Sequence, residues 1–519
     1  MRPLLVLALL ILCFVLASVL AVYSFGRFAR QARGKPAHAL PVSPDATALD
    51  RLAAPLLAEH ENQSGLLLLA SNLDAFAARA LSARQAGRSL DLQYYIWEDD
   101  GLTGRLMIEE VLKAADRGVR VRLLLDDINL RGNDIASLGL NAHPNIEVRL
   151  FNPARNRGDR LRRGLEMLLR AFRVNRRMHN KAWIADGRIA IVGGRNIGDA
   201  YFGAGSPANF RDLDLLLLGR AVAQTERVFD AYWNSAATIP LLRLARRRAS
   251  HLPRLRRHLE SLHNDERVRP YLARVAERAS VETLIHDRAR LHWSQRTRIV
   301  WDPPEKAEGN GQKNWLIWAL RPLLLSAKDR LEIISPYFIP GDAFTRELTG
   351  MAERGISVAI LTNSLAATDV AAVHGAYIRC RYPLLRAGIA LFELKPYKHR
   401  GAISLFGSSS ASLHTKSFTV DDHAGFIGSM NFDPRSVSLN CEMGVVFEQP
   451  ELVAEVRAIF ADETHPHKSY RLALSENGRL RWQDRGPDGP RTQPHEPAAG
   501  LSRRLISTVI SYLPVQSQL

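Results

Sequence analysis

The sequence predicts an α/β protein of two similar lobes, each a mixed sheet flanked by helices, behind an N-terminal transmembrane helix. Three observations predict this architecture: an uncharged apolar run over residues 4–25, alternating strand and helix patterns, and an internal repeat. The chain has 519 residues, enough for about three domains. Its hydrophobic fraction of 46% is normal for a globular protein and argues against wholesale disorder, collagen and a polytopic membrane protein.

The charge balance favours an anionic partner. Lys and Arg number 70 and Asp and Glu 53, so the net charge is +17. Anionic lipid, nucleic acid or a phosphorylated substrate would all suit it. The three cysteines exclude a disulfide scaffold and argue against a Cys-rich zinc site. Cys380 and Cys441 either pair once or are two buried thiols, and we expect the thiols.

The apolar run is long enough to cross a membrane. At about 1.5 Å per residue, a helix over it spans a bilayer core of ~30 Å. We interpret residues 1–26 as a single transmembrane anchor; the alternative is a signal peptide cleaved near Ala21. Four basic residues follow the run: Arg27, Arg30, Arg33 and Lys35. The positive-inside rule would then place the body in the cytoplasm. Residues 27–60 are predicted to be a linker.

The pattern of strands and helices repeats within the body. Residues 90–96 and 120–125 are predicted buried strands with a helix over 103–115 between them, which is a β-α-β unit and hence the α/β class. Arg117-Gly118-Val119 recurs as Arg354-Gly355-Ile356, at an offset of 237 (354 − 117). Residues 61–240 are therefore predicted to be a first lobe and 296–465 a second. We expect the lobes to pack about a pseudo-two-fold axis.

Three further segments are basic or amphipathic. Residues 241–295 are predicted to be a helical connector with a solvated basic face. Residues 155–177 are either a solvated helix or a segment that lies on an anionic membrane surface. The tail, residues 466–519, is predicted to hold a hairpin turning at Asn477-Gly478 and an amphipathic helix that docks on the core or on the bilayer. The helix prediction rests on apolar residues four apart: Leu501, Leu505, Val509 and Leu513.

One motif, H-x-K-x4-D-x6-G-[GS]-x-N, occurs twice at an offset of 235 (414 − 179). The first copy contains His179, Lys181, Asp186, Gly194 and Asn196, and the second contains His414, Lys416, Asp421, Ser429 and Asn431. Each copy leads into a predicted hairpin, where residues two apart share a face. If the lobes face each other, two imidazoles, two ammonium groups and two Asn amides converge.

Such a cluster suits a phosphodiester. The lysines would neutralise the non-bridging oxygens, the Asn amides would donate hydrogen bonds to them, and Gly194 would allow close backbone approach. Ser429 replaces that glycine in the second lobe, so its hydroxyl would serve one lobe alone. One neutral His would attack phosphorus and form a phospho-His. The other, as imidazolium, would protonate the leaving alkoxide and then deprotonate the incoming alcohol or water, which predicts a bell-shaped pH profile.

Carboxylates have several candidate roles. A nucleophilic His needs an acceptor for its other ring nitrogen. Glu442, downstream of His414, and Asp212 or Asp214, downstream of His179, are candidates, with ordinary salt bridges as the alternative. Asp186 and Asp421 are counted with the catalytic set as motif members, although predicted hairpin turns favour turn or salt-bridge roles. Because the lysines supply positive charge, we expect neither metal nor cofactor, and we interpret the acidic runs at 98–100 and 126–127 as solvated loops.

The sequence resembles the phospholipase D superfamily, whose signature is this doubled H-x-K-D motif. It is most similar to the bacterial cardiolipin synthase C-type branch, from about residue 50 to the end. The segments that carry the resemblance are residues 92–97, 177–181, 193–198, 366–374 and the terminal Leu513-Pro514. The resemblance implies two phospholipase D-like lobes, with His179 as nucleophile and His414 as general acid.

The resemblance also implies a function. A phosphatidyl group would pass through phospho-His to the hydroxyl of phosphatidylglycerol, in the bacterial inner membrane. Phosphatidylglycerol is the expected lipid and phosphatidylethanolamine a second candidate. The alternatives are a hydrolytic phospholipase D, a nuclease of the same superfamily, which the charge would suit, and a non-catalytic scaffold. No nucleic-acid motif is recognisable, so we expect no nucleic-acid partner; the oligomeric state stays open.

Overall fold

The structure, a computed structural model, describes residues 2–130, 135–205, 209–246, 248–277, 283, 290–396, 413–486 and 489–512. It contains two mixed sheets with helices packed on them, which confirms the predicted α/β class. The described helices, in chain order, are α1 (Arg2–Gln31), α2 (Ala48–Glu59), α3 (Asn72–Gln85), α4 (Leu102–Asp116), α5 (Ile135–Leu140), α6 (Arg160–Leu169), α7 (Ala171–Val174), α8 (Arg220–Trp233), α9 (Leu241–Leu244), α10 (His251–Glu260), α11 (Val268–Ala276), α12 (Leu316–Leu325), α13 (Gly341–Glu353), α14 (Ala371–Arg386), α15 (Pro434–Ser438), α16 (Pro450–Glu463) and α17 (Leu501–Tyr512).

The first sheet contains β1 (Ser64–Leu69), β2 (Ser89–Tyr94), β3 (Arg120–Asp126), β4 (Ile146–Phe151), β5 (Ala182–Ala185), β6 (Ile189–Gly193), β7 (Asp214–Gly219), β8 (Thr238–Pro240) and β9 (Leu291–Ser294). Their order is β8-β4-β3-β2-β5-β6-β7-β1-β9. The three central strands β2, β3 and β4 are parallel, and β5 to β7 follow as an antiparallel meander. The β-α-β unit and the hairpin after His179 are therefore confirmed.

The second sheet contains β10 (Thr297–Trp301), β11 (Arg330–Ile334), β12 (Ser357–Asn363), β13 (Ala390–Leu394), β14 (Ser417–Val420), β15 (Ala424–Gly428), β16 (Met443–Glu448), β17 (Ser469–Leu474), β18 (Leu480–Gly486) and β19 (Gly489–Gln493). Their order is β10-β16-β15-β14-β11-β12-β13-β17-β18-β19. Read from the other edge, β17-β13-β12-β11-β14-β15-β16-β10 repeats β8-β4-β3-β2-β5-β6-β7-β1 of the first sheet. The duplication seen in the motifs thus extends to eight strands of each sheet.

The two sheets meet along β6, β15 and β16. One buried apolar cluster crosses this boundary and includes Ile184 and Val192 from the first lobe with Ile427 and Val445 from the second. Two backbone bridges also cross it, Met178 with Cys441 and Arg211 with Leu413. Met178 and Leu413 each precede a motif His, so the two bridges are reciprocal. A two-fold relation between the lobes produces this kind of exchange.

The N-terminal helix is long and apolar enough to cross a membrane. It ends at Gln31, beyond the predicted limit at residue 26. Its last turns pack on the body, where Ala29 and Ala32 are buried beside Ile239. The predicted linker after it lies along the first lobe, because Arg149 donates to Lys35 O at 2.6 Å and Arg122 to Ala37 O at 2.9 Å.

The connector and the tail pack on the lobes. Helices α10 and α11 pack on α5 and α3, and residues 278–282 and 284–289 of the predicted connector lie outside the described residues. The predicted tail hairpin is confirmed as β17 and β18, which extend the second sheet. Helix α17 docks on α14 at Gly375, where an added Cβ would lie 2.6 Å from Ser507 O. The predicted Leu513 of this helix and the terminal Leu513-Pro514 lie outside the described residues.

Candidate active site

The two motif histidines lie on extended segments that enter β5 and β14. The amide of His179 donates to Cys441 O at 2.8 Å, and the amide of His414 donates to Arg211 O at 2.8 Å. Each motif is therefore hydrogen-bonded to the backbone of the opposite lobe. The charge of His179 helps to lower the pKa of His414, and the charge of Lys416 helps to lower that of Lys181, so the two motifs lie near each other.

Each imidazole is oriented by a carboxylate from the other lobe. His179 Nδ1 lies 2.8 Å from Glu442 Oε2 and 3.1 Å from Ser429 O. His414 Nδ1 lies 2.6 Å from Asp212 Oδ2. An Nδ1–H that donates to these acceptors leaves the lone pair on Nε2, which suits a nucleophile or a base. The two acids were predicted as orienting groups, but sequence order paired each with the His of its own lobe.

Asp214, the other candidate acid, has a different role. It is fully buried and pairs with Arg79 at 2.9 Å and with Arg195 at 3.3 Å. These ion pairs fix the start of β7 next to Asp212. Of the two neighbouring carboxylates, Asp212 alone reaches a motif imidazole.

Gly194 and Ser429, predicted as substrate-binding residues, instead contact the two orienting acids. Ser429 Oγ donates to Glu442 Oε2 at 2.5 Å and accepts from Met443 N at 3.0 Å. A Cβ added to Gly194 would lie 2.2 Å from Asp212 Oδ1. The glycine thus makes room for Asp212, whereas the serine holds the longer Glu442. The hydroxyl serves one lobe, as the sequence predicted.

Both motif lysines are buried against the motif backbone. Lys181 Nζ donates to His179 O at 2.6 Å. Lys416 Nζ donates to His414 O and lies 2.9 Å from His414 Nδ1. Burial, only partly offset by Glu442, lowers the pKa of Lys181 to about 7. Burial, partly offset by Asp212, lowers the pKa of Lys416 to about 8.

Burial lowers the pKa of both motif imidazoles, which favours their neutral forms. Burial and then Lys416 lower the pKa of His414 well below its usual range. Burial also lowers the pKa of His179, although Glu442 opposes it. Burial by itself would raise the pKa of Glu442, but His179 and Lys181 hold it below its ordinary value, so this group is a carboxylate. A phosphodiester anion would add negative charge and so favour an imidazolium here.

The two Asn residues differ from the expectation and from each other. Asn196 Oδ1 accepts from Ile96 N at 3.1 Å, and its Nδ2 donates to Tyr201 OH at 3.0 Å. Both amide atoms thus have a partner within the first lobe, and the side chain braces the end of β2. Asn431 Oδ1 is buried and has no hydrogen-bond partner among the described residues. This oxygen is an acceptor, so it could take a hydrogen bond from a substrate hydroxyl group but not bind a phosphate oxygen.

Asp186 and Asp421 lie at the far ends of β5 and β14, away from the imidazoles. Each sits at a hairpin turn with positive φ, 54° for Asp186 and 49° for Asp421. Asp186 accepts from the amides of Gly87, Arg88 and Ser89 at 2.9, 2.7 and 2.9 Å. Asp421 likewise accepts from the amides of residues 328–330. Their place in the catalytic set is thereby corrected to the turn role that the hairpins favoured.

The acidic run at 126–127 is buried, so its interpretation as a solvated loop was wrong. Asp126 Oδ1 accepts from Arg177 Nε at 2.8 Å, and its Oδ2 accepts from Met178 N at 2.8 Å. Asp127 pairs with Arg157. Because Asp126 accepts hydrogen bonds from both residues before His179, it positions the first motif.

Aromatic rings pack against both imidazoles, and the sequence analysis did not assign them to the site. The Tyr95 ring lies 4.9 Å from that of His179, and the rings of Tyr201 and Phe210 lie 5.2 and 5.1 Å from that of His414. The available signal was the position of Tyr95, just after the parallel strand β2, since sites in α/β sheets gather at carboxyl ends.

A second cluster of His and carboxylates lies in the second lobe, outside this site. Among the described residues, one group has the spacing of metal ligands, namely His374, Glu393 and Glu496. Arg381 contacts all three, with nitrogens 2.7, 2.6 and 2.6 Å from their side-chain atoms. The guanidinium thus supplies the cation, and His374 has a structural role. Cys380 and Cys441 are buried free thiols, as expected.

Comparisons with known proteins identify the family. The model of the family described as "Cardiolipin synthase, PLD-like domain" matches residues 82–233 and 320–463. Cardiolipin synthase C of Escherichia coli is 41% identical over 90% of this chain and 99% of its own length. A cardiolipin synthase of Staphylococcus aureus is 27% identical over 73% of this chain and 63% of its own length. The crystal structure of phosphatidylserine synthase from Haemophilus influenzae covers 95% of this chain and 99% of its own with a TM-score of 0.57 and 13% identity, which supports the fold.

The duplicated sheet and the doubled motif define a two-lobed enzyme of the phospholipase D superfamily. Residues 82–233 and 320–463, one stretch in each lobe, carry the family match, and the E. coli relative aligns over nearly its full length. The chain belongs to the phospholipase D-like cardiolipin synthase family of phosphatidyltransferase enzymes.

Proposed function

We propose that the protein makes cardiolipin by transferring a phosphatidyl group to the hydroxyl of phosphatidylglycerol. The observation that carries the proposal is the pair of imidazoles held by carboxylates of opposite lobes, with a buried lysine beside each. Two such groups can act on one phosphorus atom, one as nucleophile and one as acid and base. The E. coli relative is named a cardiolipin synthase, which favours this acceptor.

In the first step, His179 Nε2 attacks phosphorus while its Nδ1–H is held by Glu442 and Ser429 O. A P–N bond forms as the P–O bond to the donor's head alcohol breaks. His414 as imidazolium gives its Nε2 proton to the leaving alkoxide, so glycerol departs from phosphatidylglycerol, or ethanolamine from phosphatidylethanolamine. The family resemblance assigns these roles, and the two acceptors near His179 Nδ1 support the choice of His179 as the nucleophile.

In the second step, His414, now neutral, takes the proton from a hydroxyl of the acceptor phosphatidylglycerol. The alkoxide oxygen attacks phosphorus, the P–N bond breaks, and His179 returns to its neutral form. Lys181 and Lys416 stabilise the charge on the non-bridging oxygens throughout, as compact cations. If water took the acceptor's place, phosphatidic acid would result.

We also propose that α1 is a single anchor in the bacterial inner membrane. Its length and apolar composition support a span, and the basic residues that follow it favour a cytoplasmic body. Anchoring would keep the site beside lipid headgroups.

The test is reconstitution of the full chain with labelled phosphatidylglycerol, with and without phosphatidylethanolamine. Diphosphatidylglycerol is the expected product. Phosphatidic acid as the main product would identify a hydrolytic phospholipase D, and cleavage of labelled DNA with unchanged lipid would identify a nuclease. His179→Ala and His414→Ala should each abolish turnover. His258→Ala, at an exposed connector residue, is the matched control and should leave it unchanged.

A further inference from the structure

A cleft of about 810 Å³ lies between α1 and the first lobe, apart from the histidine pair. One wall is the face of α1 from Phe14 to Arg30, continued by Arg33 just past the end of the helix. The other wall is formed by α7 and by loops at Asn152 and Ala237. The cleft therefore begins within the apolar span and ends at the surface of the body.

The end within the span is apolar. Phe14, Val15, Val19 and Val22 of α1 line it. The hydroxyl oxygen of Ser18 is buried there and has no hydrogen-bond partner among the described residues. From Val19 to Arg30 the helix rises ~16 Å, close to the ~15 Å that one leaflet contributes to the bilayer core. This part has the chemistry and the length to hold an acyl chain.

The end at the body is cationic. Arg30 of α1 and Arg33, two residues past its end, line it together with Arg173 of α7. Within the described part of the chain, no carboxylate pairs with any of these three guanidinium groups. The fourth arginine, Arg170, is buried, bonds to Glu166 at 2.7 Å and lies over the Phe25 ring. Glu308 also lines the cleft, so the cationic groups outnumber the acid.

We propose that this cleft binds one anionic phospholipid. Its phosphate lies between Arg30, Arg33 and Arg173, and an acyl chain follows α1 past Ser18 towards Phe14. Arginine guanidinium groups match phosphate oxygens in geometry and in charge. A free phosphate would contact the cationic end alone, so the apolar wall favours a lipid as the ligand. The site goes beyond the proposed transferase activity, because it contains none of the groups assigned to that reaction.

The cleft is connected to the catalytic segment through Asn152. Its Nδ2 donates to Arg173 O and to Arg176 O, both at 2.8 Å, and Asn152 O accepts from Arg177 at 3.2 Å. A lipid bound at Arg173 therefore rests on the segment that leads into His179.

Photo-crosslinking in lipid nanodiscs tests the proposal. A photoreactive amino acid replaces Val22, which lines the cleft, or Leu20, which is 66% exposed on another face of α1 at similar depth. The full chain carries His179→Ala so that no lipid is consumed. Nanodiscs contain equal amounts of phosphatidylglycerol and phosphatidylcholine, and one lipid at a time is labelled. We expect position 22 to prefer phosphatidylglycerol by about tenfold, and position 20 to take both lipids equally.

Two sets of variants complete the test. Arg30→Gln, Arg33→Gln and Arg173→Gln together should remove the preference, whereas three exposed connector arginines, changed as Arg246→Gln, Arg254→Gln and Arg257→Gln, should not. Gly26→Phe fills the cleft without a change of charge, since an added Cβ there meets nothing within 4 Å, and should reduce labelling at position 22. Excess glycerol phosphate should not compete. Equal labelling by both lipids, or a preference that survives the cleft variants, would overturn the proposal. Because the inactive chain is used, this result is independent of whether the wild type makes diphosphatidylglycerol.

Discussion

At the scale of single residues, the site combines buried cations with neutral imidazoles. Taking two ammonium groups out of water costs free energy, which appears as the lowered pKa values of Lys181 and Lys416. A phosphodiester anion relieves that cost when it binds. The same lysines therefore set the binding energy for the phosphate and the pH range in which it is available.

The first prediction concerns the alkaline side of the pH profile. Lys181 and Lys416 have pKa values lowered to about 7 and about 8, so each loses its charge as pH rises through that range. Since kcat/KM reports the free enzyme, we expect it to fall above pH 7 with a limiting slope of about tenfold per pH unit for each group. The measurement is kcat/KM from pH 5.5 to 9.5 with a soluble short-chain lipid.

Lys181→Arg is the control for this assignment, because arginine stays charged over the whole range. Its activity will be lower, but its alkaline limb should move to higher pH. A limb that stays at the wild-type position would mean that Lys181 does not set it.

The second prediction concerns Ser429, which acts through Glu442. Ser429→Ala removes a hydrogen bond to a carboxylate, and such bonds are worth about 1.5–3 kcal/mol. We expect the rate of phospho-enzyme formation to fall about 10- to 100-fold, with little change in KM, because the His179 imidazole loses its fixed orientation. Rapid-quench labelling with phosphorus-32 lipid measures that rate.

Ser429→Thr keeps the hydroxyl and should restore most of the rate. A Ser429→Ala enzyme that forms phospho-enzyme as fast as the wild type would contradict both the positioning role and the assignment of His179 as nucleophile.

The sequence predicted which residues form the site better than it predicted which of them contact each other. Histidine and lysine in a doubled motif indicate chemistry directly, because few structural roles need that spacing twice. The pairing of His179 with Glu442 depends on how the lobes pack, which no local pattern encodes. Asn196 shows that residue type alone can mislead. An Asn amide suits a phosphate, but here both amide atoms already bond within the first lobe, to the Ile96 amide and to the Tyr201 hydroxyl.

At the scale of elements, hydrophobic periods were sufficient for the β-α-β units and the hairpins. The predicted helix over 103–115 is observed as Leu102–Asp116 and the strand over 120–125 as Arg120–Asp126. The merging of the tail hairpin into the second sheet was not predicted. It pairs β17 with β13, a contact between strands far apart in the chain.

The third prediction separates the turn role of Asp421 from catalysis. Asp421→Asn keeps a residue type that tolerates positive φ but removes the charge that three backbone amides share. Leaving such donors poorly paired costs about 1–3 kcal/mol. We expect a lower free energy of unfolding by that amount and an unchanged kcat for the folded enzyme. Asp100→Asn, at an exposed loop residue, is the control.

This stabilisation also has a defined pH dependence. Burial would raise the pKa of Asp421, but the amides of residues 328–330 hold it below its ordinary value. A carboxylate with a lowered folded pKa stabilises above its unfolded pKa of about 4 and loses that contribution as pH falls through the folded value. The difference in stability between wild type and Asp421→Asn should therefore shrink below about pH 4. A loss of kcat at neutral pH in a fully folded variant would restore Asp421 to the catalytic set.

The fourth prediction concerns α17. Its face with the small residue Ser507 packs on α14, and a row of apolar side chains on its other face is exposed. Leu505 and Val509 are 66% and 50% exposed, whereas Ser507 is buried against α14. Arg503 donates to Thr368 O, next to Asp369, whose charge acts on Lys416. An exposed apolar row of this kind would suit contact with a bilayer surface. The alternatives of core and bilayer left open by the sequence are compatible, one for each face of the helix.

Leu505→Glu with Val509→Glu should weaken binding to anionic vesicles and reduce turnover of vesicle lipid at least about tenfold, since even one buried apolar side chain contributes about 1.5–3 kcal/mol. Turnover of a soluble short-chain lipid and the melting temperature should be unchanged. Leu505→Met with Val509→Ile keeps the row apolar and should behave as wild type. An equal loss on both substrates would indicate damage to the fold rather than lost contact with a bilayer.

At the scale of the whole molecule, the two lobes are incomplete without each other. Glu442 of the second lobe orients His179 of the first, Asp212 of the first orients His414 of the second, and the backbone bridges are equally reciprocal. Gene duplication with this exchange makes one site from two copies. This arrangement also explains why the internal repeat predicted the site so well, since one reaction needs the full motif in both copies.

The last prediction follows from this completeness within one chain. If both histidines of a site come from the same chain, a mixture of His179→Ala and His414→Ala proteins contains no chain with an intact pair. Mixing and co-refolding the two variants should therefore restore no turnover above either variant alone, at any ratio. If lobes exchanged between chains instead, the second lobe of His179→Ala and the first lobe of His414→Ala would rebuild one intact site, and up to about a quarter of wild-type activity would return for random pairing. Recovery of that size would show that the site forms between chains; its absence, with both variants folded and lipid-bound, is what the contacts between the lobes require.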